Sequence, residues 1–101
     1  SQVNRSVNEL VIASVLEQLD LSSTHRLIEL YAGAGNFTFP ISRRAKFSEI
    51  YSAEGSSYLV QRAKETQKNL SISPSRLKFF CSDVDSFLKS FWPNKNDTVF
   101  L

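Results

Sequence analysis

The feature that most constrains the fold is a short apolar run that stops on paired glycines. Arg26-Leu27-Ile28-Glu29-Leu30-Tyr31 leads through Ala32 into Gly33-Ala34-Gly35, and a helix-compatible segment begins immediately afterwards. A run this short, bounded by glycines, reads as a strand rather than a helix. Glycine at 33 and 35 lets the backbone turn sharply and leaves main-chain atoms open to a ligand that a Cβ would shield. Strand, glycine turn and helix together open an α/β nucleotide-binding unit, although two glycines one residue apart also mark ordinary turns.

The rest of the chain repeats this rhythm. Residues 36–45 suit a helix with Pro40 in its first turn, where a missing N–H does least harm, and with Phe37, Ile41 and Ala45 on its buried face. A strand over 48–53 ends in Glu54-Gly55-Ser56-Ser57, residues suited to a turn and a helix N-cap. The helix over 57–70 turns Leu59, Val60, Ala63 and Leu70 inward, and Ser73-Pro74-Ser75 breaks it. Leu77 to Cys81 forms a third strand, Asp83 or Asp85 caps a short helix carrying Phe87, Leu88 and Phe91, and Trp92-Pro93-Asn94 ends that element. A fourth strand starts at Thr98. Upstream, Val7, Leu10, Val11, Val15 and Leu19 recur at helical spacing, and Ser6 with Glu9 has capping-box spacing, so residues 6–20 are expected to form an amphipathic helix.

This order predicts an α/β, doubly wound, Rossmann-like fold of about four parallel strands with helices on both faces. Residues 1–101 are expected to form a single domain. Open sheets of this kind usually run to more strands, so the domain is expected to be truncated, with an open edge that invites self-association.

Composition narrows the function classes. The net charge of +2 is too small to predict nucleic-acid binding from electrostatics alone. One cysteine and one histidine are too few for an internal disulfide or a structural metal centre, so no metal site is expected. No window resembles a membrane span, and the first residues lack the order of a signal peptide, which points to the cytoplasm. Function must therefore come from a local motif.

Glu54 lies nineteen residues after Gly35, at the tip of the second strand, where a carboxylate can accept from both hydroxyls of a ribose. A dinucleotide fold places a third glycine three residues after the second, and position 38 is Thr, which disfavours pyrophosphate. The remaining common reader of such a loop is S-adenosylmethionine. In the absence of a ligand, a carboxylate at this strand tip is expected to gain little from folding.

The stretches Gln2-Val3-Asn4, Glu29-Leu30-Tyr31-Ala32-Gly33-Ala34-Gly35-Asn36-Phe37-Thr38-Phe39-Pro40 and Ala53-Glu54-Gly55 resemble the methyltransferase domain of the RNA uracil-5-methyltransferases over nearly the whole chain. Two departures from the family pattern are Glu29 in place of Asp and Ala32 in place of Cys. The resemblance implies a class I methyltransferase fold, S-adenosyl-L-methionine as cofactor, and RNA, either tRNA or rRNA, as the partner of the intact enzyme. It also implies that Gln2 reaches the methionine end of the cofactor or the target base, and that Tyr31 and Asn36 contact the cofactor around the Gly33 and Gly35 loop. Glu54 would hold the ribose hydroxyls and Asp83 the adenine amine. The family's nucleophilic cysteine and its base match no residue here, so no catalytic residue is assigned and the fragment alone is expected to be inactive.

Other polar residues have simpler readings. Cys81, in Phe79-Phe80-Cys81, reads as a packed thiol, and His25 as a solvent-side residue. Arg43, Arg44 and Lys46, like Arg62, Lys64 and Lys68, read as solvated helix faces, with RNA backbone contact the minority reading. Two alternative functions stand beside the first: a methyltransferase acting on protein or a small molecule, and a non-catalytic α/β interaction module.

Overall fold

A computed structural model of the protein describes residues 26–44 and 49–100. The expected helix over 6–20, Gln2, His25, Ala45 and Lys46 lie outside the described residues. Four strands, β1 (Arg26–Leu30), β2 (Glu49–Glu54), β3 (Leu77–Cys81) and β4 (Asp97–Phe100), alternate with the helices α1 (Thr38–Arg44), α2 (Ser57–Asn69) and α3 (Val84–Ser90). All strand pairs are parallel, in the order β3-β2-β1-β4. The chain moves outward from β1 to β3 and then crosses to the far side of β1, so the sheet reverses direction between β1 and β4. Ligands of open α/β sheets bind beyond the carboxyl ends of the strands near such a reversal.

Side-chain alternation sorts the core into two layers. Leu27, Ile50, Leu77 and Phe79 point to one face, where Phe39 and Ile41 of α1 and Val60 and Ala63 of α2 cover them. Ile28, Leu30 and Ala53 point to the other, under Phe87 of α3. There Phe80 packs against Phe91 at 4.9 Å and against Phe87 and Tyr51 at 5.4 Å between ring centroids. Tilted ring pairs at these separations add to the area they bury.

Three local expectations are corrected. First, α1 begins at Thr38 rather than Asn36, because 33–37 are spent in turns, including an Ala32 carbonyl that accepts from Gly35 N–H at 3.1 Å. Second, Leu70 is not buried. It is the C-cap of α2 and 45% exposed, and Gln67 takes the inward position one turn earlier. Gln67 tolerates burial because its Nε2 donates to the carbonyls of Leu77 at 2.7 Å and Ile72 at 3.1 Å. Third, Cys81 is exposed rather than packed, since it is the last residue of β3 and β3 is an edge of the described sheet.

At the amino ends of the strands, Arg26 and Asp97 are register partners across β1 and β4. The guanidinium binds the carboxylate in a fork, Nε to Oδ1 at 3.1 Å and Nη2 to Oδ2 at 2.7 Å, and also lies 4.8 Å from the Tyr51 ring centroid. The Asp97 side chain is only 3% exposed. Arg26→Leu, which strips a nearly buried carboxylate of its cation, is expected to cost about 3 kcal/mol of stability, and Arg26→Leu with Asp97→Leu is expected to recover much of that loss. Urea midpoints of the two variants check this.

Candidate functional site

A cleft of about 510 Å³ opens at the carboxyl ends of β1, β2 and β3, walled by Tyr31, Glu54, Ser56, Ser82, Asp83 and Asp85. Its size falls in the usual range for small-molecule sites, roughly 300–1,000 Å³.

Glu54 forms the central wall. Its Oε1 accepts from Gly33 N–H and its Oε2 from Ser56 N–H, both at 2.9 Å. The expectation that this carboxylate gains little from folding is therefore wrong: it ties the glycine loop after β1 to the start of α2. A carboxylate offers about four acceptor sites, so two main-chain bonds leave about two for a ligand, enough for a vicinal diol. Ser56 continues the link as N-cap of α2, its Oγ accepting from Leu59 N–H at 3.3 Å.

The two glycines do different work. Gly33 has φ +61°, and a Cβ there would meet nothing within 4 Å, so the space beside it is open. Gly35 has φ +94°, is buried, and a Cβ would fall 2.7 Å from Cδ2 of Phe39. Gly35 thus serves the close packing of loop on helix, and neither it nor Asn36 lines the cleft. Asn36 is exposed in the turn before α1. Tyr31 holds φ +58°, which an aromatic residue rarely adopts, and stands 72% exposed at the cleft wall. Asp83 lies opposite as N-cap of α3: Oδ1 accepts from Ser86 N–H at 2.8 Å and Oδ2 from Ser86 Oγ at 3.0 Å. These bonds hold its carboxyl below the usual carboxylate range, so the group stays ionised as an acceptor.

The structure thus brings Tyr31, Glu54 and Asp83 around one cleft, with Gly33 joined through its N–H. Ser56 and Asp85 were read from sequence only as turn or helix-cap residues and Ser82 was not singled out; polar residues at strand-to-helix junctions carry a position but no pattern that marks a cleft. A buried network beneath the loop was also missed. Glu29 is 2% exposed, and its Oε1 accepts from Thr38 Oγ1 and, at 3.0 Å, from Ser52 Oγ. Burial pushes its carboxyl up to about 6, against the opposing pull of the Thr38 and Ser52 hydroxyls. Ser52 is the register partner of Glu29 across β1 and β2, which is why the two meet on one face.

Comparison with known proteins bears on this arrangement. No family model matches the chain. An RNA methyltransferase of uncharacterised specificity from Bdellovibrio bacteriovorus is 37% identical over the whole chain. The 23S rRNA (uracil(1939)-C(5))-methyltransferases RlmD of Francisella tularensis and Haemophilus influenzae are 38% and 33% identical over 93% and 94% of it. Over nearly its whole length the chain is similar to RNA uracil-C5 methyltransferases. It spans only 20–24% of the length of these relatives. Among solved structures, magnesium protoporphyrin IX methyltransferase of Synechocystis with bound SAM superposes with a TM-score of 0.62 at 15% identity, over 79% of this chain and 37% of that one. The [4+2]-cyclase SpnF gives 0.66 at 23% identity, over 78% and 28%. The fold is the Rossmann-like one of class I methyltransferases, and the cyclase shows that this fold alone does not fix a reaction.

Two measurements follow from the buried acid and the strained loop. Because Glu29 holds its proton more tightly folded than unfolded, stability is greatest below the unfolded value near 4.5 and falls as pH rises through about 6, by about 2 kcal/mol. Asp83 has the opposite sign, losing stability only as pH falls below the usual carboxylate range, so the two windows separate. Urea midpoints between pH 4.5 and 7 should show the first slope in the parent chain and lose it in Glu29→Gln. Tyr31→Gly, which relieves the left-handed backbone, should raise the midpoint by the equivalent of about 1 kcal/mol.

Proposed function

We propose that the chain is the cofactor-binding part of an S-adenosylmethionine-dependent RNA (uracil-C5) methyltransferase, whose intact form modifies ribosomal RNA. The observation that carries this reading is the identity of 33–38% to the RlmD enzymes over nearly the whole chain. With an RNA substrate of this kind, the intact protein works in the cytoplasm. No helix among the described residues is long and apolar enough to cross a membrane.

The residues present fit the cofactor. Glu54 has acceptor capacity left for the two ribose hydroxyls, and the ionised Asp83 across the cleft is an acceptor for the exocyclic amine of adenine. The open space beside Gly33 leaves room for the chain of the ligand to pass the loop. Tyr31 supplies an exposed ring at the wall; the family resemblance adds Asn36 around the glycine loop, and Gln2, outside the described residues, toward the methionine end or the target base. When bound, the cofactor supplies an electrophilic methyl group on sulfur. The part of this chain is to hold and orient it, and we assign none of its residues as nucleophile or base.

Calorimetric titration with S-adenosylhomocysteine and with its 2′-deoxy analogue tests the reading. The parent chain should bind the first at least about tenfold more tightly, which corresponds to about 1.4 kcal/mol. In Glu54→Gln the two ligands should bind alike, because the contact that distinguishes them is gone. Equal affinity of the parent for both ligands would remove Glu54 from the ribose, and no binding by the folded chain would remove the cofactor assignment.

A further inference from the structure

A second concavity, of about 650 Å³, runs along the edge of β3 that no strand covers among the described residues, and its charged lining consists of three lysines: Lys64 and Lys68 from α2 and Lys78 from β3. Its floor is apolar, formed by Ile72, Leu77, Phe79 and Phe80. None of its lining residues belongs to the cleft at the strand carboxyl ends.

The main chain of β3 is prepared for a neighbour on this side. Arg76 and Ser82 direct their main-chain groups to β2: Ile50 N–H donates to Arg76 C=O at 2.7 Å and Ser82 N–H to Glu54 C=O at 3.0 Å. In a parallel ladder alternate residues face the same partner, so Phe79 and Cys81 turn their N–H and C=O toward the open edge. Leu77 faces that way too, but is satisfied internally, its N–H by Ser73 C=O at 3.1 Å and its C=O by Gln67. The open edge therefore starts at Phe79.

We propose that this groove docks an extended acidic peptide segment of a partner protein, which adds to β3 as a further strand. Main-chain bonds to Phe79 and Cys81 give register, apolar side chains cover the floor, and carboxylates meet Lys64, Lys68 and Lys78. The charge argues against a second copy of this chain, since pairing the edge with itself opposes lysine to lysine. Single-stranded RNA fits less well. A nucleic-acid groove offers aromatic faces for stacking, whereas Phe79 is 7% exposed and packed on Phe39 at 5.6 Å, and Phe80 is enclosed among Tyr51, Phe87 and Phe91.

The test is fluorescence anisotropy of the chain with a short labelled peptide of alternating Glu and Val. The probe should bind, a Lys and Val version should not, and Lys64→Glu with Lys68→Glu should weaken binding at least about tenfold. These lysines are exposed, so the variant should keep the parent circular dichroism and urea midpoint. N-methylation of alternate amides in the probe leaves its charge unchanged and should abolish binding in one of the two phases of methylation. Tight binding that ignores N-methylation would overturn strand addition. Preference of the groove for oligouridylate over the acidic peptide, with the same loss in the lysine variant, would replace it with an RNA site, and absence of any peptide binding would refute the proposal.

Discussion

The carboxylate of Glu54 is the constraint on which the shape of the cleft depends. One oxygen holds the N–H of Gly33 in the loop after β1 and the other holds the N–H of Ser56 at the start of α2. Two segments remote in sequence are thereby fixed to one strand tip, and the space between them and Asp83 becomes a site rather than a gap. The same bonds immobilise the carboxylate before any ligand arrives, so binding does not have to order it. Preorganisation of this kind lowers the entropic cost of recognition. A residue that holds the architecture can keep acceptor sites for a ligand, because a carboxylate has more of them than two main-chain bonds use.

A second carboxylate, Glu29, works on the layer below and by a different principle. It is buried between β1, β2 and α1, where the hydroxyls of Thr38 and Ser52 satisfy it. Thr38 stands where a dinucleotide fold has its third glycine. A glycine there would allow the close helix–strand packing of a dinucleotide fold but would remove a hydroxyl on which a buried acid depends. The departure from the dinucleotide pattern and the presence of Glu29 are therefore linked. Thr38 in this place pins α1 to the sheet through the Glu29 carboxylate. The cost is a carboxyl lifted to about 6, which makes the loop foundation less stable at neutral pH than under mildly acidic conditions.

Much of the fold was legible because strands here are short, apolar and punctuated. Leu77 to Cys81 emerges with its expected bounds, and β1 ends at the residue before Tyr31. Helix starts were read well where a cap is local: Ser56 and Asp83 both cap through their own side chains. Errors fell where tertiary contact overrides local pattern. Gln67 is polar and reads as exposed until Leu77 and Ile72 present carbonyls to it, and Leu70 reads as buried until the chain turns at Ser71, whose φ is +56°. Cys81 reads as core because its neighbours are apolar, and only the strand order exposes it. For the site, Tyr31, Glu54 and Asp83 were readable as strand-tip residues after each β segment. The bonds that Glu54 makes to Gly33 and Ser56 were not readable, since they depend on how the loop and the helix converge in space.

The sheet divides its surfaces by position. Parallel strands put every carboxyl end on the same side, and there the chain places its ligand-facing acids. The amino ends are closed by the Arg26–Asp97 fork, and the open edge of β3 carries lysines over an apolar floor. The cleft and the groove share no lining residue, so occupancy of one leaves the other geometrically open. Parallel register also makes the two surfaces mechanically continuous: β3 contributes Phe79 to the groove and leads directly into Ser82 and Asp83 of the cleft. A strand added at Phe79 and Cys81 would stiffen the segment that aims Asp83. The route from the edge at Phe79 to Asp83 is then four residues of one strand and its turn, with no intervening loop to absorb the constraint.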